Sequence, residues 1–409
     1  MNAEFLATAD AIGAKLCRDS IWARDRCNWI SPSMEFVEGT WRPVHRASGG
    51  ALYNGTSGIA LFLQRLFDLT GVREYRRCAN ASLHQALAYG CEMPASSRAG
   101  FYSGLSGIAY TAFELGRRDT AVELLKRLLP DEVDAHDLDV ITGSAGAVPL
   151  FLLLHSRCGE DFLMDLAVRH GDHLVQSARR DGEAWSWNTL RAASGQDLTG
   201  FSHGTSGIAW ALSELFARTG VPLYRTAALG GFAYERRCFS PLHANWPDFR
   251  TANERNPPGG DPSYAIAWCH GAPGIGLARL RAIEILHEDW CREEAEIALR
   301  TTALYLSEAA LGNQNYSLCH GIGGNAGLPL LAARVLHDEK LRLIAERAGW
   351  YGMETYHKRR VPWPCGVGGA GEAPNLMLGL AGIGYFYLQL YDPVRNPSVL
   401  LLEQPASQH

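Results

Sequence analysis

Two short stretches of this chain set a cysteine and a histidine side by side just before a Gly-x-x-G turn. They are residues 268–274 (W-C-H-G-A-P-G) and 318–324 (L-C-H-G-I-G-G). Thiolate sulfur and imidazole nitrogen are donors that zinc favours, so the two sites brought together in space would hold one ion. Two thiolates and one neutral imidazole leave zinc a mild Lewis acid with room for a fourth ligand. A thiol entering there loses its proton well below the ordinary cysteine pKa of about 8.5. The site then carries net negative charge, which keeps the bound sulfur nucleophilic and suits sulfur delivery better than water activation.

The elements that must position these residues follow from a repeat. Gly-x-x-G recurs at 55–58, 104–107, 143–146, 204–207, 271–274, 321–324 and 379–382. Self-similarity of this kind dictates architecture. Each copy opens an apolar stretch of helical period: Ile59, Leu61, Phe62, Leu63, Leu66 and Phe67 would cover most of a helix circumference. More polar helical stretches lie between copies, at 74–89 and 293–310 for example, and alternating β-type patterns are scarce. The expected fold is all-α: an α/α toroid, or double-layer barrel, of seven inner helices each followed by an outer one. Every glycine turn then lies at one end. An open helical solenoid is the competing arrangement. One domain over 1–409 is expected, with 1–48 as a helical segment ahead of the repeats. The Pro- and Gly-rich loops 247–262 and 361–374 are expected at the glycine-turn end.

The repeat register compares positions within the chain. The residue before the first glycine is Asn54, Ser103, Thr142 and Leu378 in copies one, two, three and seven, but His203, His270 and His320 in copies four, five and six. Before those histidines stand Ser202, Cys269 and Cys319. Asp139, four residues ahead of Gly143, adds a carboxylate from the adjoining repeat. Helix-entry residues bonding turn amides would account for one His-Gly pair. Two Cys-His-Gly sites in register, with a third histidine, favour a metal site assembled over long range.

Composition excludes other classes. With 47% apolar and 20% charged residues and a net charge of -5 over 409 residues, the chain reads as globular, with no basic surface for nucleic acid or anionic membrane. The N-terminus lacks a signal-peptide pattern, and the longest apolar run, 145–154, is too short to cross a bilayer. A cytoplasmic location is expected. The ten cysteines are too dispersed for a small disulfide scaffold.

The motifs W-C-H-G-A-P-G-I, C-H-G and G-F-S-H-G-T-S-G-I-A (200–209), on seven Gly-x-x-G repeats, resemble the lanthionine synthetase C-like cyclases over essentially the whole chain. Details such as I-W-A-R-D-R-C-N-W-I at 21–30 resemble the cyclase half of bifunctional class II lanthipeptide synthetases, with the dehydratase half absent. The resemblance implies an α,α-toroid with one Zn2+ on Cys269, Cys319 and His320. It implies that His270 lies behind the ligands and that His203 and Asp139 are catalytic. The implied reaction adds a peptide cysteine to dehydroalanine or dehydrobutyrine, forming (methyl)lanthionine thioether rings. The implied partner is a dehydrated precursor peptide, with dehydration expected from a separate dehydratase or kinase–lyase. His203 would deliver or shuttle a proton, and Asp139 would either orient that imidazole or receive the thiol's proton. Where some relatives carry a basic residue ahead of the W-C pair, this chain has Ser263-Tyr264-Ala265-Ile266-Ala267, so either enolate stabilisation comes from elsewhere or the chemistry differs. Trp185 and Trp187 would serve either peptide contact or core packing.

Four alternatives stand beside the stand-alone cyclase, among them an isoprenoid-transferring zinc enzyme, which would want a basic diphosphate pocket that the cluster lacks. One is a related enzyme adding a small thiol such as glutathione to dehydrated residues. Another is a non-catalytic zinc-containing scaffold that binds peptides. A glycosidase on an α/α barrel would need two catalytic carboxylates across a cleft, and only Asp139 stands near the turns.

Overall fold

A computed structural model describes residues 2–37, 40–90, 93–191, 196–250, 261–309, 314–369 and 371–402. The second glycine of the repeat is a point of backbone contact. A Cβ added at Gly274 would lie 2.0 Å from the Trp268 carbonyl oxygen, and one at Gly324 1.8 Å from that of Leu318. Only glycine lets the chain fold back that tightly before turning into a helix.

The helices that follow are Thr56–Thr70, Leu105–Glu114, Ser144–Cys158, Thr205–Thr219, Ala272–Leu286, Gly327–Val335 (entered through the short Ile322–Asn325) and Leu380–Tyr391. They form the inner layer, and their apolar residues are buried nearly all round. Six are backed by the helix that follows them in sequence: Arg73–Tyr89, Arg118–Lys126, Asp161–Gln176, Pro222–Cys238, Asp289–Ala309 and Arg342–Gly352. The seventh departs from the expected order. Leu380–Tyr391 is backed by the N-terminal helix Ala3–Arg18, whose Phe5 ring lies 5.1 Å from that of Trp350 and 6.0 Å from that of Tyr387.

Main-chain hydrogen bonds decide between toroid and solenoid. They link the segments before the seven glycine turns in order: Tyr53 N to Tyr102 O (2.8 Å), Ser103 N to Ile141 O (3.2 Å), Val140 N to Ser202 O (3.0 Å) and Ser202 N to Cys269 O (3.1 Å). Cys269 N then reaches Cys319 O (3.2 Å), Cys319 N reaches Met377 O (2.9 Å), and Met377 N returns to Tyr53 O (2.9 Å). The ring closes on itself, and the fold is an α/α toroid.

Beneath this ring Tyr102 and Trp268 meet from different repeats, their rings 5.4 Å apart. The Tyr102 hydroxyl donates to Val399 O (2.6 Å) and the Trp268 Nε1–H to Leu400 O (3.1 Å), so the buried tail 399–402 supports the floor under Cys269.

The N-terminal segment is helical only over Ala3–Arg18. Ile21–Ala23 pairs with Arg26–Asn28, and Ile30–Val37 with Thr40–Ala47, as antiparallel hairpins. The residues explain the correction: Ile30, Pro32, Met34 and Phe36 alternate with Ser31, Ser33 and Glu35, a period of two that suits a strand. A third short hairpin joins Arg179–Asp181 to Ala184–Ser186. Trp185 and Trp187 are core residues, both buried, with the Trp187 Nε1–H donating to Leu174 O (2.7 Å). Among the described residues no helix is long and apolar enough to cross a membrane.

Candidate metal and catalytic site

The glycine-turn end encloses a cavity of about 550 Å³ whose wall includes His203, Cys269, Cys319 and His320, with Tyr53 and Arg250. Four of the six residues singled out from the sequence thus share one surface. The other two stand directly behind it. Asp139 is buried behind His203, and His270 is buried with its ring 6.1 Å from that of His203.

The thiols of Cys269 and Cys319 titrate as a unit. Interaction with Cys269, with help from Tyr53, outweighs burial and draws the Cys319 thiol below its usual pKa, while that same interaction and burial push Cys269 well up. His320 places its Nε2 2.9 Å from Gly366 O. A carbonyl only accepts, so Nε2 carries the proton, and in the neutral ring Nδ1 keeps the lone pair. Histidines that bind metals are commonly held this way, by a hydrogen bond from the other nitrogen to a backbone carbonyl. Among the described residues no group of three or more His, Cys, Asp or Glu side chains is arranged so as to hold a metal ion. In donor chemistry, two thiols and an imidazole of fixed tautomer fit zinc, and Cys269, Cys319 and His320 are the residues that would hold it.

Asp139 is anchored for one task. Its Oδ1 accepts from Thr142 N (2.7 Å) and Thr142 Oγ1 (2.9 Å), and its Oδ2 lies 2.5 Å from His203 Nδ1. The carboxylate therefore orients the imidazole and leaves Nε2 as the nitrogen able to serve the cavity. Burial alone would lower the pKa of His203. The Asp139 hydrogen bond and charge, with the charge of Cys269, overcome that and raise it above 6.5. His270 behaves oppositely: burial and the Arg250 charge lower its pKa to about 3, keeping it neutral.

A buried ion pair holds the two halves of the site in register. Glu235, on Pro222–Cys238, accepts from Gly200 N (2.9 Å) and Ser206 N (3.0 Å), spanning the turn that carries His203. Arg279, on the helix following Cys269, donates to Glu235 Oε2 (3.1 Å) and Glu294 Oε2 (2.6 Å), and both Arg279 and Glu235 side chains are 0% exposed.

Two cavity residues escaped the sequence reading. Tyr53 stands two residues before Gly55, the register position of Cys269 and Cys319, and comparing that position across all seven copies would have found it. Arg250 lies in the 247–262 loop, of which 251–260 fall outside the described residues. Asp248-Phe249-Arg250, a charge pair in a loop expected at the site, was the available signal.

Fold and site define a class: a seven-repeat toroid whose glycine turns gather thiols, imidazoles and a carboxylate at one cavity. A family model described as Lanthionine synthetase C-like protein matches residues 47–401, and the chain belongs to that family. It is 26% identical over 395 residues to the lacticin 481/lactococcin biosynthesis protein LcnDR2 of Lactococcus lactis subsp. lactis, covering 92% of this chain and 39% of that protein. Over 268 residues it is 24% identical to the nisin biosynthesis protein NisC of the same organism, covering 58% of this chain and 63% of that one. A 132-residue stretch is 30% identical to glutathione S-transferase LANCL1 of Danio rerio, covering 32% and 29%. The chain spans less than two thirds of each of these curated relatives. The solved nisin cyclase shares the fold, with a TM-score of 0.64 at 19% identity over 86% of this chain and 92% of that one.

Proposed function

We propose that this chain is a zinc-dependent lanthipeptide cyclase that adds a peptide cysteine to dehydroalanine or dehydrobutyrine in a precursor peptide dehydrated by other catalytic machinery. The observation that carries this reading is that Cys269 and Cys319 share one cavity wall with the Asp139-backed His203.

The roles follow from charge. Zinc, when bound, would lower the pKa of the peptide thiol and hold it as a thiolate. Cys269, Cys319 and His320 fix where that sulfur enters. The sulfur forms a bond to the β-carbon of the dehydro residue, and the displaced π pair moves onto the α-carbon and its carbonyl oxygen. His203, whose pKa the Asp139 hydrogen bond and charge raise, supplies a proton to the α-carbon from Nε2. No atom is lost and no oxidant is needed: the thiol's hydrogen is balanced by the one gained at the α-carbon. Helices Thr205–Thr219 and Ala272–Leu286 begin at the cavity, and their N-terminal ends favour the negative charge that develops there.

The test incubates a dehydrated, cysteine-containing peptide with the protein, then alkylates free thiols and weighs the product. Cyclisation leaves the peptide mass unchanged and removes the alkylatable thiol. The expected result is loss of alkylation with the parent chain and full alkylation with Cys319→Ala. Equal protection by both would count against the reading. A parallel arm with a cysteine-free dehydrated peptide plus glutathione distinguishes the transferase activity named for the Danio rerio relative: an adduct as main product there would replace the cyclase reading.

A further inference from the structure

The addition described above builds negative charge on the carbonyl oxygen of the dehydro residue, and a donor must receive it. The return leg of the loop, 263–267, places residues 264–267 in the cavity wall and carries no cation. Its outgoing leg does. Asp248 N donates to Ser263 O (2.8 Å), so the two legs are bridged at the base of the loop. Arg250 therefore sits across from the stretch in which a basic residue was missing.

Arg250 is held for a purpose. Its Nε lies 2.9 Å from Asp248 Oδ1, its Nη2 2.6 Å from Oδ2, and its backbone N–H 3.1 Å from Oδ1. This is the two-pronged arginine–carboxylate geometry, which fixes the plane of the guanidinium. The Asp248 side chain is 3% exposed whereas Arg250 keeps 37% exposure, so the anchor is buried and the cation stays accessible from the cavity. It lines the same cavity wall as His203, Cys269 and Cys319. A surface arginine paired for solubility would have neither a buried carboxylate anchor nor a place in this wall.

We infer that Arg250, clamped by Asp248, is a catalytic residue that binds the carbonyl oxygen of the dehydro residue and stabilises the enolate formed when the cysteine sulfur attacks. The electron pair leaving the carbon–carbon double bond is accommodated on that oxygen until the α-carbon takes its proton, and the carbonyl then re-forms. Because the oxygen bears more charge in the transition state than in the bound peptide, Arg250 contributes mainly to kcat. Lysine at this position would keep the charge but lose the two-pronged anchor.

The inference rests on the cyclase reading, and its test separates the two. Rates of thiol loss are measured for the parent, Arg250→Gln, Arg250→Lys and Asp248→Asn, with zinc content and circular dichroism recorded for each. Arg250→Gln is expected to lose about 10²–10³-fold in kcat, the scale of one oxyanion donor, with KM changed less than threefold and zinc retained. Arg250→Lys should recover part of the loss, and Asp248→Asn should fall between parent and Arg250→Gln. Added guanidinium ion should partly restore Arg250→Ala. A parent that forms no ring overturns both readings. An active parent with Arg250→Gln within twofold of its kcat, or a loss confined to KM, overturns this one alone. Loss of zinc or of helical signal in Arg250→Gln passes the decision to Asp248→Asn, where parental kcat overturns it.

Discussion

The backbone amide of Cys269 donates to the carbonyl of Cys319 across 3.2 Å, so two residues far apart in sequence are held side by side by the main chain itself. The thiols inherit their proximity from that link in the ring of turns. Their neighbouring positions are a consequence of the repeat and need no special loop.

A change that spoils the turn should therefore spoil the site. At Gly324 an added Cβ would meet the Leu318 carbonyl at 1.8 Å, whereas at Gly368 nothing lies within 4 Å. Gly324→Ala should cost about 1–3 kcal/mol or more in urea unfolding, by overpacking, and should reduce metal content. Gly368→Ala should match the parent in both measurements.

The pair formed by His203 and Asp139 sets a pH dependence. Their hydrogen bond raises the pKa of His203 above 6.5, so the proton needed at the α-carbon is present below that raised value and lost as pH climbs through it. The alkaline limb of kcat should lie above pH 6.5 in the parent. Asp139→Asn removes the raising cause and should shift that limb to lower pH, with a fall in kcat of about 10²–10⁴-fold. A limb left in place in Asp139→Asn would remove His203 from the proton-donor role.

The Glu235–Arg279 pair should matter for stability first and geometry second. Arg279→Met leaves Glu235 buried without its partner and should destabilise the chain by about 3–5 kcal/mol. Glu235→Gln with Arg279→Met removes the uncompensated charge at Glu235, while Glu294 keeps its pairing with Arg236 (2.6 Å), and should recover much of that loss in urea unfolding. Recovery of stability without recovery of kcat would show that the pair also sets the position of the His203 turn.

What could be read from the sequence tracks what is local. The glycine contacts lie within a few residues of each other and recur in every copy, so the helices, the toroid and the cysteine and histidine positions were all legible. The hairpins at Ile21–Ala47 were missed because the helix-and-turn repeat dominated a segment whose own alternation at 30–36 spelled a strand. The backing of Leu380–Tyr391 by Ala3–Arg18 is a contact between chain ends that no period reveals. Arg250 and Tyr53 reach the cavity only after closure brings their segments together. The bonds that favour an orienting role for Asp139 come from Thr142, whose N–H and hydroxyl tie one oxygen down and leave the other for His203.

The central claim is that Cys269, Cys319 and His320 hold one metal ion at the cavity where the reaction is proposed to run. Inductively coupled plasma mass spectrometry of the purified chain measures it directly. The account predicts about one zinc per chain in the parent and in His203→Gln, and less than about a tenth of that in Cys269→Ala and Cys319→Ala. Parental zinc retained in both cysteine variants, or ring formation by a parent stripped of zinc, would contradict it.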